Sequence, residues 1–183
     1  MPDLFLERTF ESPIGRSDVL AMADIGRSCF QIHRVEWCVS LLAAGGHKMV
    51  CRFRAPDAES LRIALRSAKA PTGRLWAGTV HDGPNLSKAD RASANVAIER
   101  SFDVPVPVEE IETAEQQGWC ARAYNVTFLR TYVSNDRKRM ICLYRAPDAE
   151  SVRLAQRFMK MPVEAIWAFT AIRPGSEQGQ TRV

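Results

Sequence analysis

The heptapeptide Arg-Ala-Pro-Asp-Ala-Glu-Ser occupies residues 54–60 and recurs without a change at residues 145–151. With this offset of 91 positions held fixed, residues 29–76 align with residues 120–167 without a gap and share 17 identities in 48 positions. Such a long identity inside a gap-free alignment is not a chance event in a chain of 183 residues. We therefore interpret the chain as two tandem copies of one structural unit.

The repeated heptapeptide is typical of the start of a helix. Proline suits the first helical position, because its missing N–H would have no intrahelical acceptor there. The acidic residues that follow, Asp57 and Glu59 in the first copy, are favoured by the positive end of the helix dipole. Apolar residues then recur at helical spacing in both copies. We interpret the motif as structural, and assign it no catalytic role.

Each copy is predicted to contain the elements β-α-β-β-α-β. Strand-like segments rich in β-branched and aromatic residues alternate with segments of helical periodicity. For the first copy the predicted elements are a strand at 4–10, a helix at 17–32, strands at 35–42 and 48–54, a helix after residue 57 and a strand at 75–80. For the second copy they are a strand at 96–102, a helix at 108–124, strands at 126–134 and 138–145, a helix after residue 148 and a strand at 165–172.

A β-α-β-β-α-β unit forms a four-stranded antiparallel sheet with both helices on one face, so its other face needs a cover. The second copy can supply that cover. The predicted fold is therefore α+β, with two tandem ferredoxin-like repeats forming a pseudo-dimeric α/β barrel within one chain. We place the first repeat at residues 1–81, a linker at 82–95, the second repeat at 96–173 and a flexible tail at 174–183.

Composition limits the function classes. The net charge of +4 is modest and the arginines are spread along the chain, which disfavours nucleic-acid binding. No apolar run approaches the roughly 20 residues that span a bilayer, and no secretory signal is evident. Five cysteines without a Cys-x-x-Cys pair are typical of reduced thiols, so we expect a cytoplasmic protein without a membrane partner. Further homo-oligomerisation beyond the pseudo-dimer is left open.

The second copy, from residues 126–134 through residues 146–153, resembles a widespread bacterial domain of unknown function. Its best-known members are small nickel-binding proteins that form dimeric ferredoxin-like α/β barrels. The resemblance extends over residues 4–81 and 96–172 and implies the same fold, and it implies nickel as a cofactor to be tested.

The residues that carry nickel in such proteins are not reproduced here. The resemblance implies histidines in the first strand and the second helix, where this chain has Glu7-Arg8 and Ala64-Leu65-Arg66 in one copy and Glu99-Arg100 and Ala155-Gln156-Arg157 in the other. The three histidines, His33, His47 and His81, have no counterparts in the second copy, and they are weak candidates for metal ligands. We therefore predict no cofactor, with nickel as the alternative.

Glu7 and Glu99 interrupt otherwise apolar strands, and each precedes an arginine that points to the opposite face, because strand side chains alternate. A buried carboxylate could act as a general base or orient a ligand. The alternative is a structural Glu–Arg network across the sheet, and this is the interpretation that we favour. Predicted ligand-binding residues are Arg8, Arg100, Tyr132, Trp76 and Trp167.

Three functions follow from these expectations. The first is a small-molecule-binding barrel with a hydrophobic pocket between its two sheets, which takes a small hydrophobic or aromatic ligand. The second is a cofactor-independent enzyme of the cyclase, isomerase or monooxygenase type, in which Glu7 or Glu99 is the base and an arginine stabilises developing negative charge. The third is a nickel or other divalent-metal binding protein. The sequence leaves open whether the protein is an enzyme.

Overall fold

The structure is a computed structural model that describes residues 1–107, 124–157 and 161–175. In the first half of the chain, strands and helices follow one another in the predicted order. They are β1 (Asp3–Thr9), α1 (Arg16–Ile32), β2 (Glu36–Ala43), β3 (Lys48–Arg54), α2 (Ala58–Ser67) and β4 (Arg74–Asp82).

The second half begins with a short helix and continues with four strands and one further helix. These elements are α3 (Lys88–Ala92), β5 (Val96–Ser101), β6 (Thr127–Ser134), β7 (Arg139–Arg145), α4 (Ala149–Gln156) and β8 (Ala165–Ile172). The helix predicted at 108–124 falls almost wholly outside the described residues, as does the predicted tail beyond residue 175.

All strand pairs with a defined register are antiparallel, and the hydrogen-bonded order β1-β3-β2-β8-β5-β7-β6-β4 is that of a closed eight-stranded barrel. The predictions of an α+β fold and of a barrel are confirmed. Both predicted hairpins, β2–β3 and β6–β7, are present, and each has a register shift in its first strand, between Trp37 and Val39 and between Phe128 and Arg130.

The chain divides into two compact units, and the first of them is discontinuous in sequence. The first unit contains Met1–Ala77 and the chain from Thr170 onward, and the second contains Gly78–Phe169. The boundaries therefore lie within β4 and β8, whereas the sequence suggested divisions at residues 81, 95 and 173. The residues predicted to be a linker contain α3, which begins after Ser87 because that side chain accepts a hydrogen bond from the Asp90 backbone N–H.

Each unit has its own apolar core between strands and a helix. In the first unit, Leu4 and Leu6 of β1 pack with Met49 and Phe53 of β3 and with Leu61 of α2. In the second, Val96 and Ile98 of β5 pack with Met140, Tyr144 and Val152. The alternating pattern places every second residue of β1 and β5 toward a helix layer, which explains why Arg8 and Arg100 are buried there.

The repeated heptapeptide starts a helix in both units, as predicted. The predicted place of the proline in the helix is wrong, because Asp57 and Asp148 are the N-caps, and Pro56 and Pro147 precede them. The side chain of Asp57 accepts a hydrogen bond from the backbone N–H of Ser60 at 2.7 Å, and Asp148 accepts one from Ser151 at the same distance. These backbone hydrogen bonds hold the pKa of both carboxyl groups below the ordinary aspartate value.

No helix within the described ranges is long and apolar enough to cross a membrane.

The segment that connects α2 to β4 lies directly on β1. A Cβ atom added at Gly73 would lie 2.0 Å from the carbonyl oxygen of Glu7, so no larger residue fits without a shift of backbone. The same segment contains Pro71, whose carbonyl oxygen accepts a hydrogen bond from Arg8 at 2.9 Å. Because Gly73 has no side chain, this segment can approach β1 and the buried Arg8.

We expect Gly73→Ala to lower the free energy of unfolding by about 1–3 kcal/mol, because the added methyl group overlaps the β1 backbone. Gly45→Ala is the matched control, since a Cβ atom there meets no atom within 4 Å. Denaturant unfolding of both variants measures the difference, and equal effects of the two substitutions would contradict the close approach.

Candidate functional site

Arg8 is a charged side chain held inside the first unit. The residue is 5% exposed and lies on the helix-facing side of β1. Its Nε donates to the carbonyl oxygen of Pro71 at 2.9 Å, and its Nη1 donates to the Cys51 sulfur at 3.8 Å. Within the described part of the chain, no carboxylate forms an ion pair with it. Burial lowers the pKa of the guanidinium from its ordinary value, and the Cys51 sulfur opposes that shift.

The guanidinium of Arg8 borders a cavity between β1–β3 and the helices α1 and α2, which we call the Arg8 cavity. Its volume, counted at the centres of water molecules, is about 30 Å³. That is room for roughly two waters or a ligand of similar size. The described lining residues are Arg8, Val19, Met22, Ala23, Phe30, Trp37, Ser40, Met49, Cys51, Phe53, Leu65 and Ala70.

Apart from Arg8, the polar lining of the cavity consists of a short hydrogen-bonded chain. The indole Nε1 of Trp37 donates to the Ser40 hydroxyl oxygen at 3.0 Å, and that oxygen lies 2.9 Å from the Cys51 sulfur. Burial raises the pKa of the Cys51 thiol above its ordinary value, although Arg8 and Ser40 act in the opposite direction. At neutral pH the sulfur is therefore an uncharged thiol and does not neutralise the guanidinium.

The second unit buries an equivalent arginine but satisfies it differently. Arg100 is 0% exposed, and its Nη1 donates to the Pro162 carbonyl oxygen at 2.9 Å, whereas Arg8 donates to Pro71 through Nε. Its Nη2 also donates to the Gln156 side-chain oxygen at 2.7 Å. The residue aligned with Gln156 in the first copy is Leu65, which lines the Arg8 cavity and has no acceptor to offer.

The two glutamates face the opposite side of their strands from the arginines, and each accepts a hydrogen bond from a tryptophan. Trp76 Nε1 donates to Glu7 at 2.6 Å, and Trp167 Nε1 donates to Glu99 at 2.6 Å. Trp76 also stacks on Phe5, with ring centroids 4.3 Å apart. Both tryptophans therefore act within the fold as hydrogen-bond donors to a carboxylate.

Glu99 belongs to a buried charge network of the second unit. The residue is 1% exposed, and its second oxygen accepts a hydrogen bond from Arg139 Nη2 at 3.4 Å. Arg139 also contacts the carboxylate of Glu164 at 3.1 Å, and Ser101 donates to the same carboxylate at 2.6 Å. These contacts tie β5, β7 and the segment before β8 together. The arrangement favours a structural role for Glu99 over that of a general base.

A second concave region lies in the second unit and is an open groove of about 510 Å³. Its described lining residues are Arg153, Gln156, Arg157, Met161, Val163, Glu164, Ala165 and Ile166. Its charged side chains face solvent or pair locally, as Arg153 does with Glu150. Charges in such a groove are already hydrated, so it is a weaker candidate for a binding site than the Arg8 cavity.

Of the residues predicted to bind a ligand, the structure places only Arg8 in the described lining of the Arg8 cavity. Arg100 lies in the second unit, and Tyr132 on β6 is 1% exposed. Sequence reasoning missed Ser40, Trp37 and Cys51 as lining residues. The differences between Leu65 and Gln156 and between Phe53 and Tyr144 were visible in the aligned copies and distinguish the surroundings of the two arginines.

The described residues do not fit a nickel site. Within those ranges, no group of three or more histidine, cysteine, aspartate or glutamate side chains is arranged to hold a metal ion. His33 follows the end of α1, His47 hydrogen-bonds to the Phe10 carbonyl oxygen at 3.0 Å, and His81 hydrogen-bonds to Thr79 at 2.8 Å. The histidines therefore lie on separate elements, and two of them are engaged in local contacts.

Comparison with known proteins gives a partial family match. Residues 97–168 match the model of a nickel-responsive protein family described as SCO4226-like, which is less than half of the chain. No curated protein is significantly similar in sequence to this chain.

Several solved structures are similar in fold at low identity. A chlorite dismutase from Candidatus Nitrospira defluvii, solved in complex with imidazole, is 12% identical, with a TM-score of 0.49 over 92% of this chain and 91% of that one. A heme-binding protein from Thermus thermophilus is 11% identical, with a TM-score of 0.48 over 93% and 90% of the two chains. The function is therefore inferred from the cavity and its side chains.

We expect Glu99→Gln to lower the free energy of unfolding by about 3 kcal/mol, because it leaves the buried Arg139 without its buried carboxylate. Glu7→Gln keeps the acceptor for Trp76 on a half-buried residue, and we expect a loss of about 1 kcal/mol or less. Denaturant unfolding measures the free energy of unfolding of both variants and so tests the structural role of Glu99. An unchanged stability of Glu99→Gln would remove the structural assignment and return Glu99 to the candidates for a catalytic base.

Proposed function

We propose that this protein binds a small molecule and that the Arg8 cavity of its first unit is the binding site. The observation that supports the proposal is a guanidinium that is 5% exposed beside an apolar cavity, with no carboxylate among the described lining residues. An isolated buried charge is costly, and a ligand that pairs with it would recover part of that cost. Its neighbours Ser40 and Trp37 add hydrogen-bonding groups that could orient the ligand.

The lining of the Arg8 cavity combines half-buried and buried residues. Met22, Ala23, Phe30, Trp37 and Ala70 are half-buried, whereas Met49, Cys51 and Phe53 are buried. This mixture of an apolar wall and a few convergent polar groups is typical of small-molecule sites.

The cavity is far smaller than the pockets of several hundred cubic ångströms that hold large cofactors. A haem therefore does not fit the Arg8 cavity. The chamber predicted between the two sheets, with its hydrophobic or aromatic ligand, stays a prediction.

We further infer that the two units arose by tandem duplication and that only the first kept an open site. Corresponding contacts support this inference. Glu–Trp hydrogen bonds of 2.6 Å occur at aligned positions in both units, and in both units the arginine donates to the aligned proline carbonyl oxygen at 2.9 Å, through Nε in Arg8 and through Nη1 in Arg100. The enzyme hypothesis has less support, because Glu99 is held in a network with Arg139 and Trp167.

The test is a thermal-shift screen of small neutral, cationic, anionic and aromatic compounds against the wild type and two variants. Ala23→Leu fills the cavity, whereas Ala21→Leu makes the same change at an exposed position of the same helix. A ligand at 100 times its Kd stabilises the folded state by about 2.7 kcal/mol, which raises Tm by several degrees.

We expect at least one compound to raise the Tm of the wild type and of Ala21→Leu and to leave Ala23→Leu unchanged. If no compound shifts the wild type, or if the shift persists in Ala23→Leu, the Arg8 cavity is not a binding site.

A further inference from the structure

The Arg8 cavity carries one positive charge that the described protein atoms do not balance. Arg8 donates to a carbonyl oxygen and to a thiol, both uncharged at neutral pH. An arginine stays protonated in proteins even when burial lowers its pKa. The cavity therefore presents a desolvated cation, and its natural complement is a negative charge.

The remaining polar groups also favour an anion, because they can donate. The Ser40 hydroxyl oxygen can accept two hydrogen bonds. The Trp37 N–H donates to it with a nitrogen–oxygen distance of 3.0 Å, and the Cys51 S–H can donate to it with a sulfur–oxygen distance of 2.9 Å. In that arrangement the Ser40 hydroxyl hydrogen is available to a ligand. The guanidinium and this hydroxyl then form a set of donors, which matches carboxylate and oxyanion oxygens.

In the second unit, a protein side chain is the hydrogen-bond acceptor for the buried arginine. There the Gln156 amide oxygen accepts from Arg100 at 2.7 Å, and the Gln156 amide nitrogen lies 3.5 Å from the Tyr144 hydroxyl. At the two aligned positions the first unit has Leu65 and Phe53, both apolar and both lining the cavity. The Arg8 cavity thus lacks both polar side chains that complete the second site.

We propose that the Arg8 cavity binds a small monoanion of two to four non-hydrogen atoms, held by the Arg8 guanidinium and the Ser40 hydroxyl. This proposal rests on the proposed function and names its ligand class. One guanidinium among apolar walls suits a single negative charge, because a second charge would be buried unpaired. A volume of about 30 Å³ admits an ion of the size of formate or nitrite and excludes larger organic anions.

The experiment measures binding of sodium formate and sodium nitrite by thermal shift and by titration calorimetry, with formamide as the neutral probe of the same shape as formate. Two variants address the cavity. Arg8→Met removes the charge in favour of an apolar, unbranched side chain, and Leu65→Gln introduces the acceptor found in the second unit. Ile63→Gln places the same amide at an exposed position of α2 and is the control.

We expect formate or nitrite, but not formamide, to raise the Tm of the wild type and of Ile63→Gln. The affinity of both cavity variants for the anion should fall at least about tenfold, as for the loss of a charge-assisted hydrogen bond. Removal of an unpaired buried charge is often neutral or stabilising, so we expect Arg8→Met to fold. If it does not fold, Leu65→Gln provides the same comparison with the arginine retained.

Equal stabilisation by formamide and formate would overturn the anion proposal, and so would anion binding that persists in both cavity variants. If neutral compounds bind in a manner that Ala23→Leu abolishes while the anions do not bind, the proposed function stands and the ligand class is wrong. If nothing binds, both proposals are wrong.

Discussion

Each unit buries a guanidinium on the helix-facing side of its first strand, and the neighbouring chain is arranged to accept its hydrogen bonds. Arg8 and Arg100 are 5% and 0% exposed, and each is anchored by its hydrogen bond to a proline carbonyl oxygen. That bond holds the segment after the second helix of the unit against the first strand. In the first unit, the segment approaches so closely that only glycine fits at residue 73. A single buried cation thus organises both the chain path and the polar character of the space beside it.

The two units accommodate their buried arginines, Arg8 and Arg100, in different ways. In the second unit, Arg100 donates to the Gln156 amide oxygen, and a separate ion pair, Glu99–Arg139, is buried on the other strand face. The first unit places Leu65 where the amide would be and leaves a small cavity. The amide is a neutral acceptor for one donor of the guanidinium, whereas the guanidinium of the first unit faces a cavity in which a ligand can accept from it. The proposed division of roles between a structural and a binding unit follows from this one difference.

Much of the fold was predictable from local sequence, and the site was predictable only in part. The Pro-Asp-Ala-Glu sequence determines where α2 and α4 begin, because proline and an aspartate cap act within one turn. Strand alternation likewise predicted that the arginines face away from the glutamates. The partner of Glu99 could not be predicted, since Arg139 comes from another strand and their contact depends on the β5–β7 register. The cavity depends on the summed volumes of many side chains from several elements, which no local pattern encodes.

The division of β4 and β8 between the two units has a consequence for how the protein is made. The first unit needs residues from Thr170 onward to complete its strand set, although Met1–Ala77 supply the rest of it. Most of the first unit therefore leaves the ribosome before the residues from Thr170 onward are synthesised. Contacts of such wide sequence separation slow folding and leave strand edges exposed in the meantime. The first unit therefore stays incomplete until residues from Thr170 onward are synthesised, whereas every described lining residue of the Arg8 cavity lies within residues 8–70.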